Sequence, residues 1–161
     1  MDTARILSIY HDSVVDGKGM RTVIFFAGCP HFCPGCHNPR SWNIRNGKEM
    51  SVEQVVGEAL NPLTDITLSG GDPFFQAKVA ARIAKQLKAH GKHIWAYTGW
   101  TIEQLLENKN PDQLALLQYV DVLVDGPFRM EERDLTLAFR GSRNQRIIDM
   151  NAYNDTARLL Q

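Results

Sequence analysis

The stretch Thr22-Val-Ile-Phe-Phe-Ala-Gly-Cys-Pro-His-Phe-Cys-Pro-Gly-Cys36 joins an apolar run to a loop that contains every cysteine of the chain. The run Thr22–Ala27 is rich in β-branched and aromatic residues, which predicts a buried strand. Prolines and a glycine between the cysteines predict a loop directly after that strand. Because the thiols follow the carboxyl end of a strand, we expect them at the sheet edge where α/β proteins bind ligands.

Apolar runs alternate with helical patterns along the rest of the chain, which is typical of parallel βαβ units. Three further strands are predicted at Asp65–Ser69, Ile94–Thr98 and Val120–Val124. Two weaker strands are expected near Leu135–Phe139 and Gln145–Ile148. The expected fold is therefore α/β, organised as a single domain over residues 1–161.

Helices are predicted between these strands from their start and stop signals. The segments Ser51–Gln54 and Thr101–Gln104 each fit a capping box, and the first opens a helix through about Leu60. An amphipathic helix is predicted from about Phe75 to Ala89. Pro111 suits the first position of another helix, because its missing N–H costs nothing there.

The bulk composition narrows the class of protein. Apolar residues make up 43% of the 161 residues, and 18 basic residues balance 18 acidic ones, which gives no general attraction to nucleic acid or to an anionic membrane. The N-terminus lacks the pattern of a signal peptide, and no apolar stretch has the length of a membrane span. With reduced cysteines, these features lead us to expect a cytoplasmic protein without nucleic-acid or membrane partners.

The odd number of cysteines argues against a disulfide framework and in favour of metal ligation. A four-iron cluster held by Cys29, Cys33 and Cys36 would leave one iron without a protein ligand and open to a substrate. The alternative is zinc bound by the three thiolates, with His31 or His37 as the fourth ligand. A trio of unligated cysteines in the core is disfavoured by the prolines and glycine of the loop. Spacing alone leaves iron and zinc open.

Polar and glycine-rich segments follow the other predicted strands. They are Ser69–Pro73, Tyr97–Gly99 and Asp125–Pro127. Carboxyl ends of parallel strands meet at one edge of a sheet, so these segments and the cysteine loop should converge there.

The cysteine spacing after a first strand resembles the motif of radical S-adenosylmethionine enzymes. The segment Asp16–Thr22 before it, and Cys36–Pro39 with Trp42 after it, are similar to the glycyl-radical-enzyme activases. Within the activases, the chain most resembles the branch that acts on anaerobic ribonucleoside-triphosphate reductase. The segments that match this branch are Leu68–Pro73, Val124–Phe128 and Phe139–Gln145. The resemblance covers roughly residues 12–149.

The resemblance implies a partial, open βα barrel of the radical S-adenosylmethionine type, with one [4Fe-4S] cluster on Cys29, Cys33 and Cys36. Reductive cleavage of S-adenosylmethionine at this cluster would give a 5′-deoxyadenosyl radical. That radical would take hydrogen from a glycine of the large reductase subunit, with an electron donor such as a flavodoxin, and needs no conventional catalytic side chain. The alternatives are activation of another glycyl-radical enzyme, a radical reaction on a small molecule, or a zinc-binding module without enzymatic activity.

The resemblance also implies a set of cofactor-binding residues. They are Gly35, Cys36, His37, Gly70, Gly71, Asp72, Thr98 and Asp125. The segment Gly70–Asp72 is expected to hydrogen-bond the methionine amino group, although a Gly-Gly pair after a strand also suits a tight turn. Thr98 and Asp125 equally suit helix caps or turns. Many superfamily members have an aromatic residue at the position of Gly35, so adenine contacts are expected mainly from backbone and other side chains.

Arginines cluster in the last matching segment and just after it. Arg140, Arg143 and Arg146 fit either a solvated basic face or a site for a carboxylate of the cofactor or of a partner. Trp95 and Phe25 are expected in the core beside the strands rather than in a binding role.

Overall fold

A computed structural model of the chain describes residues 3–36 and 39–153. Within them, seven strands form one sheet: β1 (Thr3–Ser13), β2 (Arg21–Phe26), β3 (Lys48–Ser51), β4 (Asp65–Gly70), β5 (Ile94–Tyr97), β6 (Val122–Asp125) and β7 (Arg146–Asp149). Four α-helices lie wholly within these ranges: α1 (Val52–Ala59), α2 (Ala77–Ala89), α3 (Ile102–Asn108) and α4 (Pro111–Leu117).

The strand order is β3-β1-β2-β4-β5-β6-β7. The four central strands β2, β4, β5 and β6 are parallel, as the alternating pattern predicted. Antiparallel strands flank them, with β1 and β3 on one side and β7 on the other. The sheet is open, since β3 and β7 are its edges in the described part of the chain. The predicted mixed α/β class is therefore confirmed.

Alternate residues of the parallel strands face opposite sides of the sheet. One set belongs to the same buried cluster as the apolar faces of the helices: Ile24, Phe26, Ile66, Leu68, Ile94, Ala96 and Leu123. The residues between them therefore face away from the helices. Trp95 in this second set is buried as predicted, whereas Phe25 is only half-buried.

A buried arginine fills the amino-terminal end of this second face. The Arg21 guanidinium donates to Thr67 Oγ1 at 2.9 Å, to Ile66 O at 2.9 Å and to Lys18 O at 2.6 Å. It also lies 5.7 Å from the centre of the Trp95 ring. Gly17 has φ +120°, and a Cβ there would lie only 2.8 Å from Trp95. The segment before β2 thus closes this end of the face, and the other end remains available for a cavity.

Both predicted capping boxes are present, at Ser51–Gln54 before α1 and at Thr101–Gln104 before α3. Pro111 occupies the first turn of α4, also as predicted. The helix expected from Phe75 begins at Ala77 instead, because the preceding residues Pro73–Gln76 form a 3₁₀ turn. No helix in the described ranges is long and apolar enough to cross a membrane.

The strand predicted at Leu135–Phe139 is wrong, since these residues form turns and bends. Phe139 has φ +63°, a left-handed conformation that a strand does not contain. Its carbonyl accepts a hydrogen bond from Tyr97 Oη at 2.7 Å, which holds the segment against β5. The strand predicted at Gln145–Ile148 is present as β7. The strand predicted from Val120 begins two residues later, as β6.

We expect Arg21→Met to lower the free energy of unfolding by about 2–4 kcal/mol, because buried carbonyl and hydroxyl groups would lose their donor. Urea unfolding followed by far-ultraviolet circular dichroism measures this change. Arg45→Met, at an exposed arginine, is the matched control and should leave the midpoint unchanged. Equal midpoints for the two variants would contradict the role given to Arg21.

Candidate functional site

A cavity of about 520 Å³ opens at the carboxyl ends of the parallel strands, on the face opposite the helices. The predicted site residues that line it are Cys29, Cys33, Cys36, Gly70, Gly71 and Thr98. The convergence expected from the sequence is therefore present for these six. A second cavity of the same volume lies beside α2 and α4, and no cysteine lines it.

Backbone hydrogen bonds fix the start of the cysteine loop. Gly28 N donates to Ser41 O at 2.7 Å, and Cys29 N donates to Trp42 O at 3.2 Å. From the end of β4, Asp72 N donates to Gly28 O at 2.9 Å. The loop therefore continues the sheet edge and is held from both sides, which gives the thiols a defined position.

The two glycines at the end of β4 bring backbones into close contact. Gly70 has φ +108°, and a Cβ there would overlap backbone atoms of Phe26. A Cβ on Gly71 would overlap the carbonyl oxygen of Gly28, next to the first cysteine. The space that a side chain would need at these two glycines is therefore occupied by the backbone of β2 and of the cysteine loop.

Asp72 is fully buried and its carboxylate accepts four hydrogen bonds. Oδ1 accepts from Phe74 N at 2.9 Å. Oδ2 accepts from Thr98 Oγ1 at 3.0 Å and Gly99 N at 2.8 Å, and lies 2.8 Å from His31 Nε2. One carboxylate therefore joins the cysteine loop, the end of β4 and the end of β5. Asp72 is not among the residues that line the cavity.

Asp125 is also fully buried, and its partners belong to the protein. Its carboxylate forms two charged hydrogen bonds with Arg146 and accepts one from Ile102 N at 2.8 Å. Arg146 also binds Glu103, which lowers the pKa of that carboxyl to about 2, while Glu103 and Asp125 together raise the pKa of Arg146. Neither sequence alternative describes Arg146, because the carboxylates that it binds belong to its own chain rather than to a cofactor or a partner.

The other two predicted contacts lie in the cysteine loop. Gly35 has φ +76°, and a Cβ there would overlap the methyl group of Met130. Glycine at this position therefore lets the loop pack against the segment after β6. His37 lies outside the described residues.

The thiols are free and partly buried. Burial raises the pKa of Cys29 to about 11 and also raises the pKa of Cys33. Both thiols are therefore protonated at neutral pH in the absence of metal, and a metal that binds them must displace their protons.

The described residues fit an iron–sulfur cluster better than a single zinc ion. In residues 3–36 and 39–153, no three His, Cys, Asp or Glu side chains are grouped closely enough to hold a single metal ion. His31, one of the candidate zinc ligands, directs Nε2 to Asp72 and packs edge-on against Trp100. Three thiols around one cavity fit a multi-iron cluster, whose irons take one thiolate each.

Sequence reasoning missed part of the cavity wall. Phe25, predicted for the core, lines the cavity together with Asp16, whereas Tyr97 lines it as part of a segment that was expected there. The two-residue period along β2 could have identified Phe25, because it lies on the face opposite the helices. Phe139 and Arg140 reach the cavity from a loop that no local pattern describes.

We expect Gly71→Ala to lower both thermal stability and the amount of iron bound, because the new methyl group would push the cysteine loop away from β4. Gly57→Ala in α1 is the matched control, since a Cβ there meets nothing within 4 Å, and it should leave the protein as stable or slightly more stable. Scanning calorimetry and iron analysis measure the two effects. A Gly71→Ala protein with wild-type stability would show that the turn tolerates a side chain.

We expect Asp72→Asn to lower the free energy of unfolding by about 2–4 kcal/mol. An amide NH₂ would replace one carboxylate oxygen, and it cannot accept the hydrogen bonds that this oxygen now receives. The comparison is urea unfolding of the metal-free protein. Glu107→Gln, at an exposed carboxylate, is the control. If Asp72 served only to bind a ligand, Asp72→Asn would leave the unfolding free energy of the metal-free protein unchanged. That outcome would refute the structural role of Asp72.

Comparison with known proteins agrees with this chemistry. Residues 15–148 match the family model described as a 4Fe-4S single cluster domain. A Haemophilus influenzae protein named anaerobic ribonucleoside-triphosphate reductase-activating protein is 34% identical over 149 residues, which cover 86% of this chain and 94% of that protein. Proteins of the same name from Vibrio cholerae (37% identical, 84% of this chain and 92% of that protein) and Enterobacteria phage T4 (35%, 86% and 90%) are also similar. The chain therefore belongs to the 4Fe-4S single cluster domain family, among the anaerobic ribonucleoside-triphosphate reductase-activating proteins.

Proposed function

We propose that this protein activates an anaerobic ribonucleoside-triphosphate reductase through a [4Fe-4S] cluster on Cys29, Cys33 and Cys36. The observation that carries the proposal is that every cysteine of the chain lines one cavity at the carboxyl ends of the parallel strands. The names of the similar proteins support the reductase as the partner. Bound together, the cluster and S-adenosylmethionine would supply one-electron cleavage of the sulfonium and hence a radical able to take hydrogen from a glycine of the reductase.

The chain's own residues position the reacting groups and exclude water. In the proposed cofactor site, Cys36, Gly70, Gly71 and Thr98 contact the cofactor from the cavity wall. Gly35 and His37 belong to the loop that carries the cluster. Asp72 and Asp125 support the rim, since the protein's own donors surround their carboxylates.

The proposed architecture is a partial βα barrel of the radical S-adenosylmethionine type, formed as one domain over residues 1–161. The open sheet with four parallel central strands supports it. An open side suits a substrate that is a loop of another protein. Two of the residues that line the cavity, Val15 and Leu135, are apolar and 72% and 79% exposed, and such a loop could cover them.

The compartment and the electron source follow from the same chemistry. Three free thiols on one loop need a reducing environment, which supports the cytoplasm. The protein holds no second cysteine group for a further cluster, so a separate donor such as a flavodoxin would deliver the electron.

We expect anaerobically reconstituted wild-type protein to bind about four iron atoms per chain, and Cys29→Ala, Cys33→Ala and Cys36→Ala each to lose the cluster. His37→Ala separates the metals, because the cluster account leaves its iron content unchanged while a zinc site would lose a ligand. Mixing the reduced wild-type protein with S-adenosylmethionine and the reductase should give the doublet resonance of a glycine-centred radical.

Stoichiometric zinc without iron in protein purified anaerobically would contradict the cluster. Iron and cofactor cleavage without a radical on the reductase would contradict the partner. The two failures are therefore distinguishable.

A further inference from the structure

Arg140 is the one lysine or arginine among the described residues that line the cavity. The other ionisable groups on the wall, besides the thiols, are Asp16, His31, Tyr97 and Asp134. Because the Arg140 guanidinium is charged at every physiological pH, it gives this cavity a permanent positive charge. A fixed charge on the cavity wall is a feature that a bound ligand would meet directly.

The hydrogen-bonding capacity of this guanidinium is only partly used. Nη1 donates to Gln145 O at 2.6 Å. Nε is buried and has no hydrogen-bond partner, and in the described part of the chain Arg140 forms no ion pair with a carboxylate. Buried donors without partners are rare in native proteins, because each costs the solvation it has lost. The unpartnered Nε shows that the acceptors of the described chain satisfy this guanidinium only in part, and its remaining N–H groups are the ones available to a ligand in the cavity.

Neighbouring contacts hold Arg140 in place before any ligand binds. On one side, the Phe139 carbonyl accepts from Tyr97 Oη, and the Phe139 ring packs edge-on against Trp95 at 5.3 Å. On the other side, Gln145 Oε1 accepts from Gly141 N at 2.9 Å. These contacts fix the backbone on both sides of Arg140, and the bond from Nη1 to Gln145 O restrains the side chain, so little conformational entropy is lost on binding.

We propose that Arg140 binds a carboxylate of the molecule that occupies the cavity. The guanidinium is a planar fork that matches a carboxylate in shape and charge. This inference rests on the proposed function, which offers two sources of a carboxylate: the methionine end of S-adenosylmethionine and an acidic residue of the reductase. Neither the cofactor nor an unmodified polypeptide carries a phosphate, the other anion that this fork prefers.

Arg146, unlike Arg140, is fully engaged by carboxylates of its own chain. It lies in β7 opposite Asp125, and its guanidinium is occupied by Asp125 and Glu103. Arg143 is exposed and does not line the cavity. Of the three arginines in this region, Arg140 alone combines a position in the cavity wall with an unpartnered buried nitrogen.

The test measures binding to cluster-loaded protein by isothermal titration calorimetry in the absence of oxygen. The variants are Arg140→Gln, Arg140→Lys and the control Arg143→Gln, each checked for iron content and thermal unfolding. The ligands are S-adenosylmethionine, its decarboxylated analogue and the large reductase subunit. A charged hydrogen bond to the cofactor predicts that Arg140→Gln weakens S-adenosylmethionine binding roughly 10- to 100-fold while the decarboxylated analogue binds wild type and variant alike.

A carboxylate of the reductase gives a different pattern. Cofactor affinity would be unchanged, and Arg140→Gln would weaken binding of the reductase subunit while Arg143→Gln would not. Arg140→Lys, which keeps the charge but loses the fork, should fall between wild type and Arg140→Gln in whichever arm responds.

Three outcomes would overturn the inference. One is unchanged affinity for both S-adenosylmethionine and the reductase in Arg140→Gln. Another is equal weakening of the cofactor and its decarboxylated analogue, which would show a structural role. The third is loss of iron or of folding in both Arg140 variants. Wild-type protein that binds neither the cofactor nor the reductase would contradict the proposed function itself.

Discussion

The buried carboxylate of Asp72 joins the parts of the protein on which the cavity depends. Asp72 follows β4, accepts hydrogen bonds from Thr98 and Gly99 at the end of β5, and contacts His31 in the cysteine loop. The neighbouring glycines allow the backbone of that loop to pack directly on β4. A thiol-bearing loop would otherwise be one of the more mobile parts of an α/β protein, since loops make few buried contacts. Here backbone hydrogen bonds of Gly28 and Cys29 and the contact of His31 with Asp72 tie the start of the loop to the sheet edge.

The sheet face opposite the helices carries an arginine at each end, and the two differ in how many of their hydrogen-bond donors have partners. At the amino-terminal end, Arg21 satisfies carbonyl and hydroxyl groups of β4 and packs on Trp95. A buried guanidinium with this many acceptors is tolerated because nearly all its donors are used. At the carboxyl-terminal end, Arg140 is only partly satisfied and borders the cavity. Arginine thus has two roles on this face: Arg21 stabilises the packing at one end and, in our proposal, Arg140 binds a ligand at the other.

The parts of the fold predictable from sequence are those with local signals. The parallel strands, the capping boxes and the loop around Cys33 all have them. Strand β1 was not predicted because a register shift after Ile6 moves its more buried residues from even to odd positions, which interrupts the two-residue period. Strand β3 was missed because it is a short edge strand with one buried residue, Met50.

In the site, too, features that depend on local sequence could be predicted, whereas contacts between distant strands could not. The position of the three cysteines and the Gly-Gly pair at the cavity could be predicted, since each follows a strand that has a local sequence signal. The roles of Arg140 and Arg146 could not be separated, because the difference arises from pairing of β7 with β6, which places Arg146 opposite Asp125. The orientation of Asp72 toward Thr98 likewise depends on two strands that are distant in sequence.

The central claim is that three thiols hold a four-iron cluster with one iron free of protein ligands. Mössbauer spectroscopy of protein reconstituted with ⁵⁷Fe tests it most directly, recorded with and without S-adenosylmethionine. The account predicts one iron site in four that is distinct from the others and whose parameters change when the cofactor is added. Iron sites that are all equivalent, or a spectrum that the cofactor leaves unchanged, would contradict it.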